Sequence, residues 1–490
     1  MLSWIDFARA FVEEQMSLGK NRLLIHYNSV WYRYLKTVWI EMPAPDLRAK
    51  IRLWTDKYVW IKTGRGEGDP YIMTERAIDE AMDAIAALSN LPANTPMPSW
   101  INTKNTAGPA PDRILSFANM LLDLSDPKHP CTLKHTPKWF SLNTLPYDYD
   151  PKAKCPYWLK ITKEWSKDKS GIPNTDWVLL LQEWFAYNLL PDTSRQKFMQ
   201  YYGPRRAGKG TVLRIQQAML GRNNCCSPTL SSLGGTFGYE TAYGKLAMLV
   251  SDAHLGYGSD KIMVMEAIAR IVGEDPIDIN RKYKPPISVP KLATRITVAV
   301  NELLKFPDPT GKTAARMLML HFANSYYGKE DAHLTQNLLA ELPGICNWAI
   351  QALPSLQSPT FRFTEPASSK KLLQEFEELG SPFTSFVNHC CVYPDLGGKV
   401  PIRLFKTAAS RHFFKLGKQE ILPREFKEYM RTICPQVRPA LKYWQGKLTR
   451  CFTGISLESV REDTDRKIDS LKAILSKEKS SAHKTKPKTS

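Results

Sequence analysis

The sequence predicts an α/β fold built around a phosphate-binding loop, and three observations support this. The apolar, aromatic run Phe198–Tyr202 reads as a buried strand that leads into the Gly-bounded stretch Gly203–Thr211. The segment Val212–Leu220 follows with helical character. Two further apolar runs, Leu246–Val250 and Thr294–Val300, read as core strands, and each is followed by a polar side chain. Strands that alternate with helices are typical of α/β proteins.

The stretch between the first strand and its helix reads G-x-x-x-x-G-K-G-T, the spacing and context of a P-loop. Glycine lets backbone N–H groups turn toward an anion, and a helix N-terminus adds partial positive charge. Lys209 is predicted to reach the β- and γ-phosphates of ATP bound with Mg²⁺. A Gly-rich surface turn is the alternative interpretation. The predicted nucleotide-binding residues are Gly203, Pro204, Arg205, Arg206, Ala207, Gly208, Lys209, Gly210 and Thr211.

The loop departs from the usual motif at one position. Gly210 stands directly after Lys209, where a hydroxyl is expected, and Thr211 comes one residue later. Thr211 is a candidate Mg²⁺ ligand, but this spacing leaves direct ligation open.

Polar residues that follow the other predicted strands are candidate catalytic groups. Asp252, after Leu246–Val250, has the position of a Walker B acid that holds Mg²⁺ or orients the attacking water. Ser251 occupies the place where a second acid is common, and capping of the next turn is the alternative for Asp252. Asn301, after Thr294–Val300, is predicted to hydrogen-bond the γ-phosphate or the water. Arg316 precedes another apolar strand and is either an arginine that reaches a neighbouring subunit's nucleotide or a surface residue.

Composition favours a polyanionic partner. The 490 residues, enough for roughly three domains, include 67 Lys and Arg against 48 Asp and Glu, a formal charge of +19. Such an excess favours nucleic acid. An anionic membrane surface is the other candidate, but no long basic amphipathic helix, apolar run of spanning length or signal-type start is evident. The nine Cys form no C-x-x-C pair, which predicts reduced thiols and a cytoplasmic location.

Two basic regions are candidate DNA contacts. Arg281, Lys282 and Lys284 surround Tyr283 in a predicted hairpin tip suited to phosphate contacts and base stacking, with a solvated turn as the alternative. Residues 399–450 carry 13 Lys or Arg and three Glu. Their pattern of two helices followed by two strand-like runs predicts a winged-helix-like domain, or alternatively a charged protein-docking face. Its predicted second helix carries the candidate groove contacts Arg424, Lys427 and Arg431.

The order of these motifs resembles the superfamily-3 helicases, and more closely the helicase part of phage, plasmid and poxvirus-type primase–helicases. The resemblance covers about residues 1–455 and is strongest in 175–325. The matching phrases are Leu145–Pro151, Cys155-Pro156, Leu181–Trp184, Gly208–Thr211, Val272–Asp275, Arg281–Lys284 and Asn301-Glu302.

The resemblance implies an AAA+-like core, a hexameric ring and ATP-driven translocation on DNA, usually 3′ to 5′. By position it implies that Lys209 and Thr211 belong to the phosphate loop, that Asp252 is the strand-end acid and that Asn301 is the sensor. It also implies that Arg281, Lys282 and Lys284 form the DNA-contacting hairpin and that Arg316 is the trans-acting finger. Residues 1–150 show no acid cluster for priming, so no primase activity is expected.

We therefore expect four regions and one function. Residues 1–165 form an α+β domain associated with primase–helicases, 170–365 the ATPase, 366–460 the winged-helix-like domain and 461–490 a basic, disordered tail. The expected function is that of an ATP-dependent replicative DNA helicase of a phage, plasmid or other mobile element. A primase or replication initiator is a possible partner. A replication initiator with little hydrolysis and a small-molecule P-loop kinase are the alternatives.

Overall fold

The structure, a computed structural model, describes residues 3–19, 21–58, 60–61, 69–70, 73–101, 108–251, 261–303, 312–380, 382–393, 398–415, 430 and 433–458. It divides into two units. The first comprises residues 1–304 and 316–370, and the second comprises 305–315 and 371–490. The predicted groove residues Arg424, Lys427 and Arg431, the acid Asp252 and the tail 461–490 lie outside the described residues.

The elements follow one another along the chain as helices and mostly short strands. The helices of the described residues are α1 (Trp4–Gln15), α2 (Ala44–Tyr58), α3 (Glu75–Ser89), α4 (Pro156–Trp165), α5 (Thr175–Tyr187), α6 (Lys209–Leu220), α7 (Leu230–Leu233), α8 (Lys261–Gly273), α9 (Lys312–Arg316), α10 (Leu334–Leu339), α11 (Leu342–Ile350), α12 (Leu353–Leu356), α13 (Ala367–Gly380), α14 (Pro382–Cys390) and α15 (Ile402–Lys415).

The strands are β1 (Ser17–Leu18), β2 (Asn21–Arg22), β3 (Leu24–Tyr27), β4 (Val30–Leu35), β5 (Val38–Met42), β6 (Trp60–Ile61), β7 (Asp69–Pro70), β8 (Ser99–Trp100), β9 (Ile114–Ser116), β10 (Leu121–Asp123), β11 (Cys131–Leu133), β12 (Trp139–Phe140), β13 (Phe198–Tyr202), β14 (Cys225–Cys226), β15 (Ala247–Val250), β16 (Ile277–Arg281), β17 (Lys284–Val289), β18 (Arg295–Val300), β19 (Met317–His321), β20 (Cys391–Val392), β21 (Lys399–Pro401), β22 (Arg438–Trp444), β23 (Lys447–Thr453) and β24 (Ser456–Leu457).

A five-stranded parallel sheet forms the centre of the first unit and confirms the predicted α/β class. Its order is β14-β15-β18-β13-β19, and every pairing is parallel. The residues of β15 and β18 are buried throughout, as expected for strands covered on both faces. Both Gln200 of β13 and Val250 of β15 are paired with Val298 of β18. The carboxyl ends of these three strands therefore lie together at one edge, where α/β proteins bind ligands.

Aromatic side chains connect the sheet to the helices that cover it. Trp158, Trp184 and Phe185 are fully buried in the main core. Asn174 caps the N-terminus of helix α5, and its side chain accepts a hydrogen bond from the Trp177 N–H at 3.1 Å. Burying each such side chain stabilises the fold by about 1.5–3 kcal/mol, so α5 is held firmly beside the strands.

Helix α4 is anchored by a carboxylate at its N-terminus. Glu341 accepts hydrogen bonds from the backbone N–H groups of Tyr157 at 3.0 Å and Trp158 at 2.8 Å. A negative charge at a helix N-terminus satisfies N–H groups that have no partner within the helix. This anchor places Trp165, the last residue of α4, in the core next to the loop that follows β13.

The N-terminal region is α+β, with helices α1–α3 beside the antiparallel sheet β3-β4-β5. Trp31, Tyr32, Tyr34 and Trp39 of this sheet are all buried. Ordinary sheet packing therefore accounts for these aromatics, and they are not available for stacking on bases.

The second unit contains most of helix α13, helices α14 and α15, and a long hairpin formed by β22 and β23. Gln445 and Gly446 make its turn, with φ values of 48° and 79°. Phe386, Phe405 and Phe452 lie in the core of this unit. In neither unit does the described part of the chain contain a helix with the length and apolarity needed to cross a bilayer.

Candidate nucleotide-binding site

The loop between β13 and α6 requires glycine at two positions. A Cβ on Gly203 would collide with the backbone oxygen of Phe322. Gly208 has φ +100°, and a Cβ there would lie 2.7 Å from the Trp165 indole nitrogen. Both neighbours are buried core residues that cannot move away cheaply. The two glycines of the predicted motif are thus explained by close packing and, at Gly208, by backbone conformation.

The outer part of this glycine loop, residues 203–208, is exposed and basic. Pro204, Arg205 and Arg206 are exposed, whereas Ala207 is buried. The Arg205 carbonyl accepts a hydrogen bond from the Ser325 hydroxyl at 2.8 Å, and the Arg206 carbonyl accepts one from the Tyr326 N–H at 3.0 Å. The segment that follows β19 therefore fixes the loop backbone while the two arginine side chains remain at the surface.

Lys209 is the buried cation of the site. Its side chain is only 7% exposed, and its Nζ donates to the carbonyls of Gly203 at 2.7 Å and Pro204 at 2.6 Å. The same Nζ donates to Asn301 Oδ1 at 3.0 Å. The structure thus brings together two residues that the sequence predicted as functional, from the carboxyl ends of the adjacent strands β13 and β18. Asn301 itself is exposed and can be reached by a ligand.

A polar layer beneath the loop joins α6 to two strands. The buried Tyr201 hydroxyl donates to Gln216 Oε1 at 3.1 Å, and Gln216 Nε2 donates to Thr297 Oγ1 at 3.0 Å. The Trp184 indole N–H also donates to Thr297 at 3.0 Å. Burial raises the pKa of Tyr201 well above its ordinary value, so the phenol stays a neutral donor. This layer holds α6 in register with the sheet edge.

Thr211 contacts an arginine that sequence analysis missed. Its Oγ1 accepts a hydrogen bond from Arg214 Nη2 at 3.0 Å. Arg214 Nη1 lies 3.6 Å from the position that a Cβ on Gly210 would occupy. The available signal was the spacing, because Arg214 follows Gly210 by four residues and so shares its helix face.

The predicted Mg²⁺ ligands are only partly placed. Thr211 is 9% exposed, and its hydroxyl oxygen already accepts from a guanidinium, a poor setting for a divalent cation. β15 delivers the exposed Ser251 to the same sheet edge, but Asp252 lies outside the described residues. Within the described ranges, no group of three or more His, Cys, Asp or Glu side chains suited to a metal is found. Among the described residues at this edge, Ser251 is the polar side chain that β15 delivers, and the metal role of Asp252 stays a prediction.

Arg316 lies beside α8 and apart from the Lys209–Asn301 pair. Its Nη1 donates to the Ala269 carbonyl at 2.8 Å, near the C-terminus of that helix. A Cβ on Gly273 would lie 2.8 Å from the same nitrogen, so glycine leaves the space that the guanidinium fills. A guanidinium carries five N–H donors, so this bond leaves donor capacity for another ligand.

The basic hairpin forms as predicted, with a two-residue turn at its tip. β16 and β17 pair up to Arg281 and Lys284, which leaves Lys282 and Tyr283 as the turn. Tyr283 has φ 60° and is 92% exposed. Lys282 Nζ lies 5.2 Å from the centre of the Tyr283 ring. The tip therefore presents one cation and one aromatic ring to the solvent.

The other two cations of the hairpin contact the N-terminal sheet. Arg281 is 8% exposed and donates to the Asn28 carbonyl at 3.0 Å and to the Pro285 carbonyl at 2.6 Å. Lys284 Nζ forms an ion pair with Glu41 Oε1 at 2.5 Å. Arg281, predicted as a DNA contact, is itself buried and bonds backbone carbonyl oxygens, so it supports the base of the hairpin. Of the three predicted cations, Lys282 is the one at the tip.

Two family models match separate parts of the chain. Residues 18–169 match the family described as D5 N terminal like. Residues 201–316 match a family of unknown function, DUF5906, a stretch that runs from the glycine-loop strand to Arg316. The first match relates the N-terminal region to a domain associated with primase–helicases.

Solved structures of the NrS-1 C-terminal region are also similar to this chain. One apo structure, the A form, is 11% identical and has a TM-score of 0.48, with 92% of this chain and 99% of that chain covered. A second apo structure, of residues 305–718, is 12% identical with a TM-score of 0.42, and covers 69% and 95% of the two chains. A third, an A form of 305–718, is 11% identical with a TM-score of 0.47 and covers 92% and 98%. At this level the likeness says nothing about activity.

Proposed function

We propose that this protein is an ATP-dependent DNA helicase of the replicative type, from a phage, plasmid or other mobile element, acting as a homo-oligomeric ring, most simply a hexamer. The observation that carries the proposal is the contact between Lys209 and Asn301 at the carboxyl edge of a parallel sheet. It joins a buried lysine of a glycine loop to a polar residue at the end of the neighbouring strand. The match of residues 18–169 to the D5 N terminal like family supports the same assignment.

In this proposal the loop binds the phosphates of ATP. The carbonyls of Gly203 and Pro204 hold the Lys209 ammonium in the loop, and the phosphate oxygens of ATP replace them as its partners. Asn301 then hydrogen-bonds the γ-phosphate or the attacking water. Asp252 and its neighbour Ser251 would hold Mg²⁺, which would supply positive charge for the transferred phosphoryl group. Catalysis of this kind consists mainly of positioning and charge stabilisation.

Two surfaces are proposed to contact DNA. The tip formed by Lys282 and Tyr283 combines a cation for phosphate with a ring for stacking on a base. The hairpin 438–453 of the second unit carries four Lys or Arg and no acidic residue. Its Leu441, Tyr443 and Leu448 are exposed by 64%, 68% and 58%. A hairpin with four basic residues, no acidic residue and an exposed ring suits a nucleic-acid strand.

The rate of ATP hydrolysis by the Lys209→Ala variant tests the assignment of the glycine loop as the nucleotide site. Because this change removes the only proposed loop cation that reaches the phosphates from a buried position, we expect ATP hydrolysis to fall to background with and without single-stranded DNA. Lys128→Ala, a change at an exposed lysine far along the chain, serves as the control and keeps DNA-stimulated turnover.

The same assay separates the alternatives. Wild-type protein that hydrolyses ATP faster with DNA supports a helicase motor. Tight DNA binding without turnover identifies a non-hydrolysing initiator. Phosphate transfer to a small molecule that DNA does not stimulate identifies a kinase, and full hydrolysis by Lys209→Ala overturns the placement of the site.

A further inference from the structure

Arg214 is placed by helix geometry over the first turn of α6. Side chains of an α-helix tilt toward its N-terminus, and residues four apart lie on one face. Arg214 therefore reaches back across the face of Gly210, which has no side chain. The observed guanidinium agrees, since Nη2 bonds Thr211 at 3.0 Å and Nη1 lies 3.6 Å from where a Gly210 Cβ would be.

This arrangement accounts for the departure from the usual loop motif. The residue after the loop lysine normally carries the hydroxyl that ligates the divalent cation. Here that residue is Gly210, and an arginine from the next turn lies over it. A positive side chain thus occupies the side of the loop where the common motif places a metal ligand.

The local charges call for an anion. The N-terminus of α6 carries partial positive charge, which disfavours cations and favours phosphate. Lys209 and Arg214 both bring full positive charge to this N-terminus. The exposed Arg205 and Arg206 lie in the preceding loop, and Arg206 forms an ion pair with Glu330 at 3.6 Å. Among the described residues, Arg214 donates a hydrogen bond to the neutral hydroxyl of Thr211. A bound polyanion would offset the repulsion between these neighbouring positive charges. A guanidinium can donate two parallel hydrogen bonds to the oxygens of one phosphate.

Thr211 has the hydrogen-bonding capacity to complete such a site. Its hydroxyl accepts from Arg214, which leaves its own proton to donate. A hydroxyl that donates suits a phosphate oxygen, whereas a divalent cation at the same hydroxyl would lie beside the positive charge of the Arg214 guanidinium.

We propose that Arg214, seated by Thr211, is a phosphate-contacting residue of the nucleotide site, and that the contact it makes does not depend on a divalent cation. The inference rests on the proposed function, because it assigns a further residue to the same site. It predicts that part of the nucleotide affinity survives removal of Mg²⁺ and is lost with the guanidinium.

The test is a titration of the full chain with a fluorescent ATP analogue, in Mg²⁺ and in EDTA. Arg214→Ala is expected to weaken binding roughly tenfold in both conditions, the size of a charge-assisted phosphate contact. Arg214→Lys keeps the charge and recovers part of the affinity. Arg222→Ala, at an exposed arginine just past the other end of α6, is the control and binds as wild type. Thermal melting checks that each variant is folded.

A second substitution decides the role of the hydroxyl. Thr211→Val keeps the shape and removes the hydroxyl, and we expect severalfold weaker binding both with and without Mg²⁺. A loss that appears only with Mg²⁺ would make Thr211 a metal ligand and contradict the inference.

The outcomes also separate this inference from the function it rests on. Arg214→Ala that binds as wild type, while Lys209→Ala does not bind, overturns the role of Arg214 and leaves the nucleotide site intact. Unchanged binding by Lys209→Ala overturns the site itself.

Discussion

Lys209 shows at the residue scale how a buried cation is kept stable before any ligand binds. Moving an ammonium group out of water is costly unless oxygen atoms replace the water. The carbonyls of Gly203 and Pro204 and the side chain of Asn301 provide such oxygens. The lysine is therefore held in place by neutral oxygens, and in the proposed function a phosphate would take their place.

Gln200 is a second residue that the apolar pattern of β13 does not explain. It is fully buried in the centre of the sheet, and neither amide atom has a hydrogen-bond partner among the described residues. An unpaired buried amide costs about 1–3 kcal/mol. We therefore expect Gln200→Met, which keeps the length and volume of the side chain, to raise the free energy of unfolding by about 1–2 kcal/mol.

Urea denaturation measures this change, and Gln216→Met is its matched control. Gln216 is equally buried but bridges Tyr201 and Thr297. Its loss leaves two buried hydroxyl groups with fewer partners, so we expect about 1–3 kcal/mol of destabilisation. A Gln200→Met protein that is destabilised as much as Gln216→Met would mean that the amide is satisfied in solution.

At the scale of elements, the hairpin β16–β17 is held by contacts with the N-terminal sheet β3-β4-β5. Arg281 bonds the turn between β3 and β4 at Asn28, and Lys284 pairs with Glu41 of β5. A short hairpin is marginal alone, and these contacts fix its base. These contacts leave Lys282 and Tyr283 as the exposed residues of the turn.

Lys282→Ala separates DNA contact from chemistry. The side chain lies at the exposed tip and not in the Lys209 site, so we expect basal ATP hydrolysis to stay near the wild-type rate. Strand unwinding should fall roughly tenfold or more because a phosphate contact at the moving element is lost. A forked-duplex unwinding assay measures this.

The control for this prediction is Lys50→Ala, at an exposed lysine on α2. It removes the same charge from the chain without touching the hairpin and should unwind normally. Normal unwinding by Lys282→Ala would show that the tip does not contact the moving strand.

At the scale of the whole molecule, the proposed ring requires that each ATP site be shared. Lys209 and Asn301 lie together, whereas Arg316 lies with Ala269 and Gly273 of α8. An arginine that stabilises the transition state from the neighbouring subunit is consistent with this separation. Loss of such a residue costs about 10³-fold or more in rate.

Mixing of two inactive variants tests the shared site. Arg316→Ala subunits keep Lys209, and Lys209→Ala subunits keep Arg316, so a mixed ring contains interfaces with both residues intact. With equal amounts and random assembly we expect about a quarter of the sites to recover activity. The controls are the two variants assayed separately at the same total concentration, and each is expected to stay inactive. No recovery in rings of normal size would place Arg316 outside a trans site.

Local sequence patterns predicted much of the fold because they report burial and backbone conformation. The run Thr294–Val300 predicted β18, which is Arg295–Val300, and Val212–Leu220 predicted most of α6, which is Lys209–Leu220. The first helix predicted within residues 399–450 corresponds to α15, Ile402–Lys415. Such elements depend on periodicity within a few residues of each other.

The sequence by itself determined the parallel-sheet class, the glycine loop with its lysine and the polar residue at the end of β18, since each depends on neighbouring residues. Only the tertiary structure decided which side chains meet. Lys209 bonds Asn301 across 92 residues, and Arg281 bonds Asn28 across 253. The spacing of four residues places Arg214 on the face of Gly210, but only the structure shows its guanidinium beside that glycine and bonded to the Thr211 hydroxyl. Side-chain direction and long-range contact are set by packing, and no local pattern in the sequence encodes them.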